Sequence, residues 1–179
     1  LLALGAIGLL AGIFYSGHPF NWAKRGIGEA IVALNFGVLM TLGAYYVQAQ
    51  SLSWLPVVAS LPLAGLIAAV LYINEFPDYA SDQAVGKKTL VVRLGRQRAV
   101  ILYAAIIGAT YVALLAGIVV GALPVVALIA LGTLPLATRA LLYARRHHSQ
   151  SFDLVPANAM TIICHLTVGL VLTLAFVWN

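Results

Sequence analysis

The chain has 179 residues, 63% of them hydrophobic and only 8% charged, with a mean hydropathy of +1.01. A soluble domain carries about 25% charged residues and needs a polar coat, so composition excludes that class and leaves an integral membrane protein, with the lipid bilayer as its first partner. The formal net charge of +5 does not signal nucleic acid, because the basic residues lie in short connections between apolar runs, where topology accounts for them.

The chain opens on "LLALGAIGLLAGIFY", with no initiator Met, no basic flank and no visible signal peptide. That reads as the interior of a helix and predicts further chain upstream. Apolar runs then follow at roughly 1–15, 28–49, 54–73, 99–120, 122–143 and 157–178. Each except the first is about long enough to cross a hydrocarbon core. Gly, Ala and Ser are scattered through them, which favours close helix packing. Period-two alternation is absent, so strands are not expected. The expected fold is all-α: a polytopic transmembrane helical bundle, with residues 1–179 forming one domain. The lone Cys164 rules out an intramolecular disulfide.

Charge falls only in alternate connections. Lys24, Arg25 and Glu29 sit between the first and second runs. The segment 74–98, with Lys87, Lys88, Arg93, Arg96 and Arg98, sits between the third and fourth. Arg139, Arg145, Arg146 and Asp153 sit between the fifth and sixth. The connections around "AQSLS" and "VVGALP" carry none. All charge therefore belongs to one side of the membrane, and the positive-inside rule makes that side cytoplasmic.

The segment "NEFPDYASDQAVGKKTL", Asn74 to Leu90, collects three of the five acidic residues. Asn74, Asp78, Asp82 and Gly86 are spaced four apart, which on a helix makes one stripe, with Glu75 and Tyr79 on the next. Converging oxygen ligands at a helix end suit a hard cation. Mg²⁺ takes one or two carboxylates and fills its other positions with water and phosphate oxygens. The lysines of "GKK" can meet phosphate as point charges. Pro77 is expected to bend or break the helix, leaving Asp78 and Asp82 on a shared turn. The alternative is a solvated mixed-charge loop with no chemistry.

The run from Asn74 to Gly95, N-E-F-P-D-Y-A-S-D-Q-A-V-G-K-K-T-L-V-V-R-L-G, resembles the second aspartate-rich motif of the UbiA superfamily of intramembrane prenyltransferases. The resemblance implies a nine-helix bundle with two such motifs facing one cavity from the cytoplasmic side, where they bind a polyprenyl diphosphate through Mg²⁺. The first motif, of the N-D-x-x-D kind, is absent from these residues. The six visible spans then correspond to helices four to nine, and the isolated chain is expected to be inactive. A second likeness runs from Ser16 to Gln48. Pro19, Phe20, Arg25, Gly26, Gly28, Glu29, Phe36, Gly37, Gly43, Tyr45, Tyr46 and Gln48 are similar to the corresponding region of 1,4-dihydroxy-2-naphthoate polyprenyltransferases. That implies menaquinone synthesis in a prokaryotic cell membrane. Other branches of the superfamily, acting on 4-hydroxybenzoate, homogentisate, chlorophyllide, haem or glyceryl-phosphate lipids, share parts of the pattern.

The implied reaction is electrophilic alkylation of an aromatic acceptor by a polyprenyl group leaving its diphosphate. Asp78 and Asp82 are the candidate Mg²⁺ ligands, with Asn74, Glu75 and Tyr79 assisting at the substrate. Lys87 is the candidate diphosphate partner and Lys88 its reserve. Arg93 either touches diphosphate or serves as a topology charge. Arg25 and Glu29 either line the cytoplasmic mouth or form a loop ion pair. Tyr45, Tyr46 and Gln48 are candidates for the substrate cavity or for an interfacial belt. His147 and His148, beside Arg145 and Arg146, are expected in a solvated basic loop. His165 is expected to bond another helix. Two other readings stand beside the enzyme: a transporter using Asp78 and Asp82 to relay ions, and a non-catalytic remnant.

Overall fold

A computed structural model describes residues 1–149 and 154–178, which contain helices and turns and no strand. Asp153 lies outside them, as does part of the connection in which it was counted. Helix α1 covers Leu2–Ser16. A 3₁₀ turn, Trp22–Arg25, leads into α2, Gly28–Ala49. The long helix α3, Leu55–Asn74, is followed by two short ones, α4 at Tyr79–Ala84 and α5 at Leu90–Leu94. Then come α6 at Arg96–Val119, α7 at Val125–His147 and α8 at Val155–Val177. Five of these, α2, α3, α6, α7 and α8, are long and apolar enough to span a membrane, and α1 is shorter, as its run predicts.

Helix α3 is the centre of the bundle and packs against α2, α6 and α8. Its buried face carries Leu66, Ala69, Tyr72 and Ile73. Small residues let the backbones close up, since lipid supplies no hydrophobic drive between helices. A Cβ on Gly37 would collide with Ala64, and one on Gly65 with the Thr110 hydroxyl. Gly37 lies in a π-helical stretch of α2, Ala33–Leu39, whose wider turn brings that glycine onto α3. Buried tyrosines then link the spans. Tyr72 donates to the Ala99 carbonyl at 3.1 Å, joining α3 to α6. Tyr103 meets Thr161 at 2.6 Å, and Tyr111 meets Thr133 at 2.8 Å, joining α6 to α8 and α7. Large apolar side chains such as Ile101, Val112, Ile129, Leu166 and Leu170 point outward, as a lipid-facing surface requires.

Several expectations need correction. The helices run further than the apolar runs. Arg96 and Arg98 lie in the first turn of α6, and Arg139, Arg145 and Arg146 lie within α7 rather than in a connection. A long basic side chain can lay its stem along an apolar helix and carry its charge beyond the end, so charge does not mark where a span stops. His147 closes α7 stacked on Tyr143, with ring centroids 4.2 Å apart, and is not a loop residue. His165 is half-buried on α8, and its Nδ1 finds no hydrogen-bond partner among the described residues.

Candidate active site

The segment 74–98 is folded, not a loop. Helix α3 ends at Asn74, and tight turns carry the chain past Pro77 to α4, with Glu75 N–H donating to Tyr72 and Phe76 N–H to Ile73. The four-residue stripe is therefore broken between Asn74 and Asp78. It resumes on the far side, where Asp82 N–H donates to the Asp78 carbonyl at 2.8 Å. The two aspartates share a turn but not an environment: Asp78 is exposed and Asp82 is buried.

The end of α4 explains the Asp-x-x-x-Gly-Lys spacing. Gly86 takes a left-handed φ of 71°, which a side chain would strain. Gly86 N–H donates to Gln83 and Lys87 N–H reaches back to Asp82 at 2.9 Å, the paired bonds of a Schellman motif. This reversal returns the Lys87 side chain to the Asp82 carboxylate, which it meets at 3.0 and 3.2 Å. Lys87 is thus bound to an aspartate of the motif rather than extended from it. Lys88 stays exposed. Thr89 then caps α5 by accepting from Val92 N–H at 3.3 Å.

Other elements close around this turn. Lys88 N–H donates to the Lys24 carbonyl, and Arg93 Nε to the Lys88 carbonyl, both at 3.0 Å. Gly26, at φ 67°, sits so close to the Lys88 carbonyl and the Arg93 side chain that a Cβ would be crowded there. The Lys88 backbone thereby fastens the 3₁₀ turn to the motif. Arg25 donates to the Pro19 carbonyl at 3.2 Å and makes no ion pair with Glu29. Asn158 of α8 donates to Asn74, and Arg96 lies over the Tyr79 ring at 4.8 Å while donating to the Ser149 carbonyl at 2.7 Å.

Glu29 belongs to this end as well. It is 4% exposed in the first turn of α2. Glu75 faces it, and the two carboxyl groups share a hydrogen bond. Burial, then the charge of Glu29 and the hydrogen bond between the two side chains, push the Glu75 carboxyl up to about 8, against the opposing effects of the Val91 backbone and Lys87.

The structure therefore brings Asn74, Glu75, Asp78, Tyr79, Asp82, Lys87, Lys88, Arg93 and Arg25 to one end of the bundle. Tyr45, Tyr46 and Gln48 lie elsewhere. Tyr45 and Gln48 line a cavity of about 700 Å³ with Leu55, Ala122 and Phe176, at the start of α3. A twenty-residue helix separates that cavity from Asn74, a distance of about 30 Å at 1.5 Å per residue. Sequence reasoning underweighted Glu29, whose signal is a carboxylate at the edge of an apolar span. Asn158 carried no signal beyond its polarity.

The donors available to a metal are hard oxygens, and no three Asp, Glu, His or Cys side chains converge among the described residues. That fits a cation held by one or two carboxylates, with the remaining positions left to water and phosphate, which is the habit of Mg²⁺. It does not fit a closed protein cage.

Comparison with known proteins agrees with this architecture. The model of the UbiA prenyltransferase family matches residues 1–163, and the chain belongs to that family. Among curated relatives, it is 26% identical over 178 residues to 2-carboxy-1,4-naphthoquinone phytyltransferase of Synechocystis sp., covering 99% of this chain and 58% of that protein. It is 33% identical over 141 residues to 1,4-dihydroxy-2-naphthoate octaprenyltransferase of Mycobacterium leprae, covering 79% of this chain and 47% of that one. The Escherichia coli protein of the same name is 37% identical over 98 residues, 55% of this chain and 32% of its own length. The chain thus spans about half the length of these first two relatives. No solved structure matches it.

Proposed function

We propose that the protein is an integral membrane prenyltransferase that moves a polyprenyl group from its diphosphate to an aromatic acceptor. The observation that carries this reading is the folded Asp78–Lys87 turn: an exposed and a buried carboxylate with a lysine doubled back onto the buried one, at the end of a membrane span in a UbiA-family chain. Residues 1–179 act as one transmembrane domain, with the charged end facing the cytoplasm of a prokaryotic cell. The names of the relatives favour 1,4-dihydroxy-2-naphthoate as acceptor and menaquinone as the quinone served.

Asp78 and Asp82 would hold Mg²⁺. A bound Mg²⁺ supplies positive charge to the departing diphosphate. The chain's own residues do the rest. Lys87, on a flexible stem, can exchange Asp82 for a phosphate oxygen and add to the same neutralisation. Asn74 and Tyr79 border the turn, where Asn158 and Arg96 hold them. The apolar walls keep water from an allylic cation.

The test is prenyl transfer by the full-length protein in lipid nanodiscs, with polyprenyl diphosphate and dihydroxynaphthoate. Product is expected with Mg²⁺ and not with chelator. The 179-residue chain alone, which lacks an N-D-x-x-D motif, is expected to give none. Preference for another aromatic acceptor would reassign the branch. No transfer by the full-length protein to any aromatic acceptor would overturn the reading.

A further inference from the structure

A second cleft opens beside the charged end, between α6 and α7, and the prenyl-transfer reading makes no use of it. Its volume is about 490 Å³. α6 begins at this end and α7 finishes here, so two antiparallel stripes face each other across it. Gln97, Val100 and Ala104 form one, and Leu141, Arg145 and His148 form the other. Each stripe covers two helical turns, about 10 Å along the span. Gln97 lies level with His148 and Arg145 at the rim, and Ala104 lies level with Leu141 in the apolar depth.

The cleft looks onto the bilayer. Ile101 and Leu142 border it and are exposed, as lipid-facing side chains are. Its rim is positive. Arg145 is exposed and makes no ion pair among the described residues, and Arg98 and Arg146 are exposed one residue along from Gln97 and Arg145. Neither helix carries an acidic residue to neutralise them. His148 is fixed beside Arg145 by an Nδ1–H donated to its carbonyl at 2.9 Å. Free backbone N–H groups in the first turn of α6 favour an anion at the same level. The α7 carbonyls that would oppose it are offset by Arg145, Arg146 and His147 in the last turn.

We propose that this cleft binds an anionic glycerophospholipid, with its phosphate on Arg145, His148 and Gln97 and one acyl chain along Val100, Ala104 and Leu141. Charge and shape choose the occupant together. An arginine fork and an imidazole at the interface suit phosphate oxygens. The apolar depth below them has no use for a free inorganic anion but accepts a hydrocarbon chain. The ammonium of a zwitterionic headgroup finds no carboxylate on either helix, so a lipid with net negative charge is preferred. The site is separate from the Asp78–Lys87 turn, to which Arg96 alone connects it, lying over Tyr79 and donating to the Ser149 carbonyl.

The experiment is native mass spectrometry of the delipidated full-length protein, titrated with phosphatidylglycerol or phosphatidylcholine. Wild type is expected to retain one phosphatidylglycerol in preference to phosphatidylcholine. Arg145→Gln should weaken that binding about five- to tenfold, the effect of one basic contact at a membrane surface. Arg139→Gln removes the same charge from the same helix away from the cleft, and should change it by less than about twofold. Ala104→Leu, which fills the depth, should also weaken it, and excess inorganic phosphate should not displace the lipid. All three variants should melt with wild type in phosphatidylcholine, which separates loss of binding from loss of fold. Equal retention of the two lipids would overturn the proposal, as would equal losses in Arg145→Gln and Arg139→Gln, since a general positive field would then suffice. Displacement by phosphate would reduce the cleft to an anion site at its rim and overturn the lipid. Absence of bound phosphatidylglycerol in the full-length protein would show that another part of the chain fills the cleft.

Discussion

The two ends of the bundle are built on opposite rules. At the end of α3 that carries Asn74, several polar groups are held in place: Lys87 by Asp82, Arg93 by Lys88, Asn158 by Asn74, Arg96 by Tyr79 and Ser149. At the Leu55 end, Tyr45 and Gln48 border an open cavity of about 700 Å³ with apolar neighbours. One end fixes charge in place, and the other leaves space. A site that must stabilise a leaving group needs the first, because preorganised charge does not have to reorganise during the reaction.

The comparison can be broken most directly at the two aspartates. Asp78→Ala and Asp82→Ala in the full-length protein are each expected to lower prenyl transfer by 100-fold or more. Their stabilities should differ. Asp78 is exposed, and its loss should leave thermal unfolding within about 0.5 kcal/mol of wild type. Asp82 is buried and partnered, and its loss strands Lys87, for a destabilisation of about 1–3 kcal/mol after allowing for the lysine's partial exposure. Equal melting temperatures for the two variants would show that the Asp82–Lys87 pair does not anchor the turn.

A smaller effect tests the carboxyl pair. The Glu75 carboxyl lies near 8 in the folded protein and near 4.5 when unfolded, so the folded state binds the extra proton between those values. Stability from this group is complete below about 4.5 and is lost as pH rises through about 8. Melting temperature in detergent should therefore fall from pH 5 to pH 8.5 in wild type, and Glu75→Gln should flatten that slope. The smallest effect is expected at the open end. Tyr45→Phe and Gln48→Ala should change prenyl transfer by no more than about twofold, since both lie about 30 Å from the motif. A tenfold loss in either would extend the working site along the whole bundle.

The spans were legible because a membrane imposes long apolar runs, and 28–49 and 54–73 fall almost where α2 and α3 lie. The ends were less so. Arg96, Arg98 and Arg145 read as connection residues, yet a helix continues through them when their stems can lie on its surface. The site divided similarly. Asp78, Asp82 and Lys87 were visible as a cluster, and the break at Pro77 followed from proline geometry. The burial of Asp82 was not visible, because it depends on a chain reversal and on the 3₁₀ turn docking from sixty residues upstream. Glu29 was seen with two readings, a lining of the cytoplasmic mouth or an ion pair with Arg25, and the ion pair is not made. Arg25 is near it in sequence, whereas Glu75 meets it only when the starts and ends of adjacent spans are brought together.

The reversal at Gly86 makes chain length, rather than side-chain identity, the sensitive variable between Asp82 and Lys87. Gln83, Ala84 and Val85 are exposed and can vary freely. One residue inserted among them would turn the lysine by about 100° around the helix and carry its ammonium off the carboxylate. The segment works as a ruler of four intervening residues, readable in a related chain that keeps only the glycine of the four.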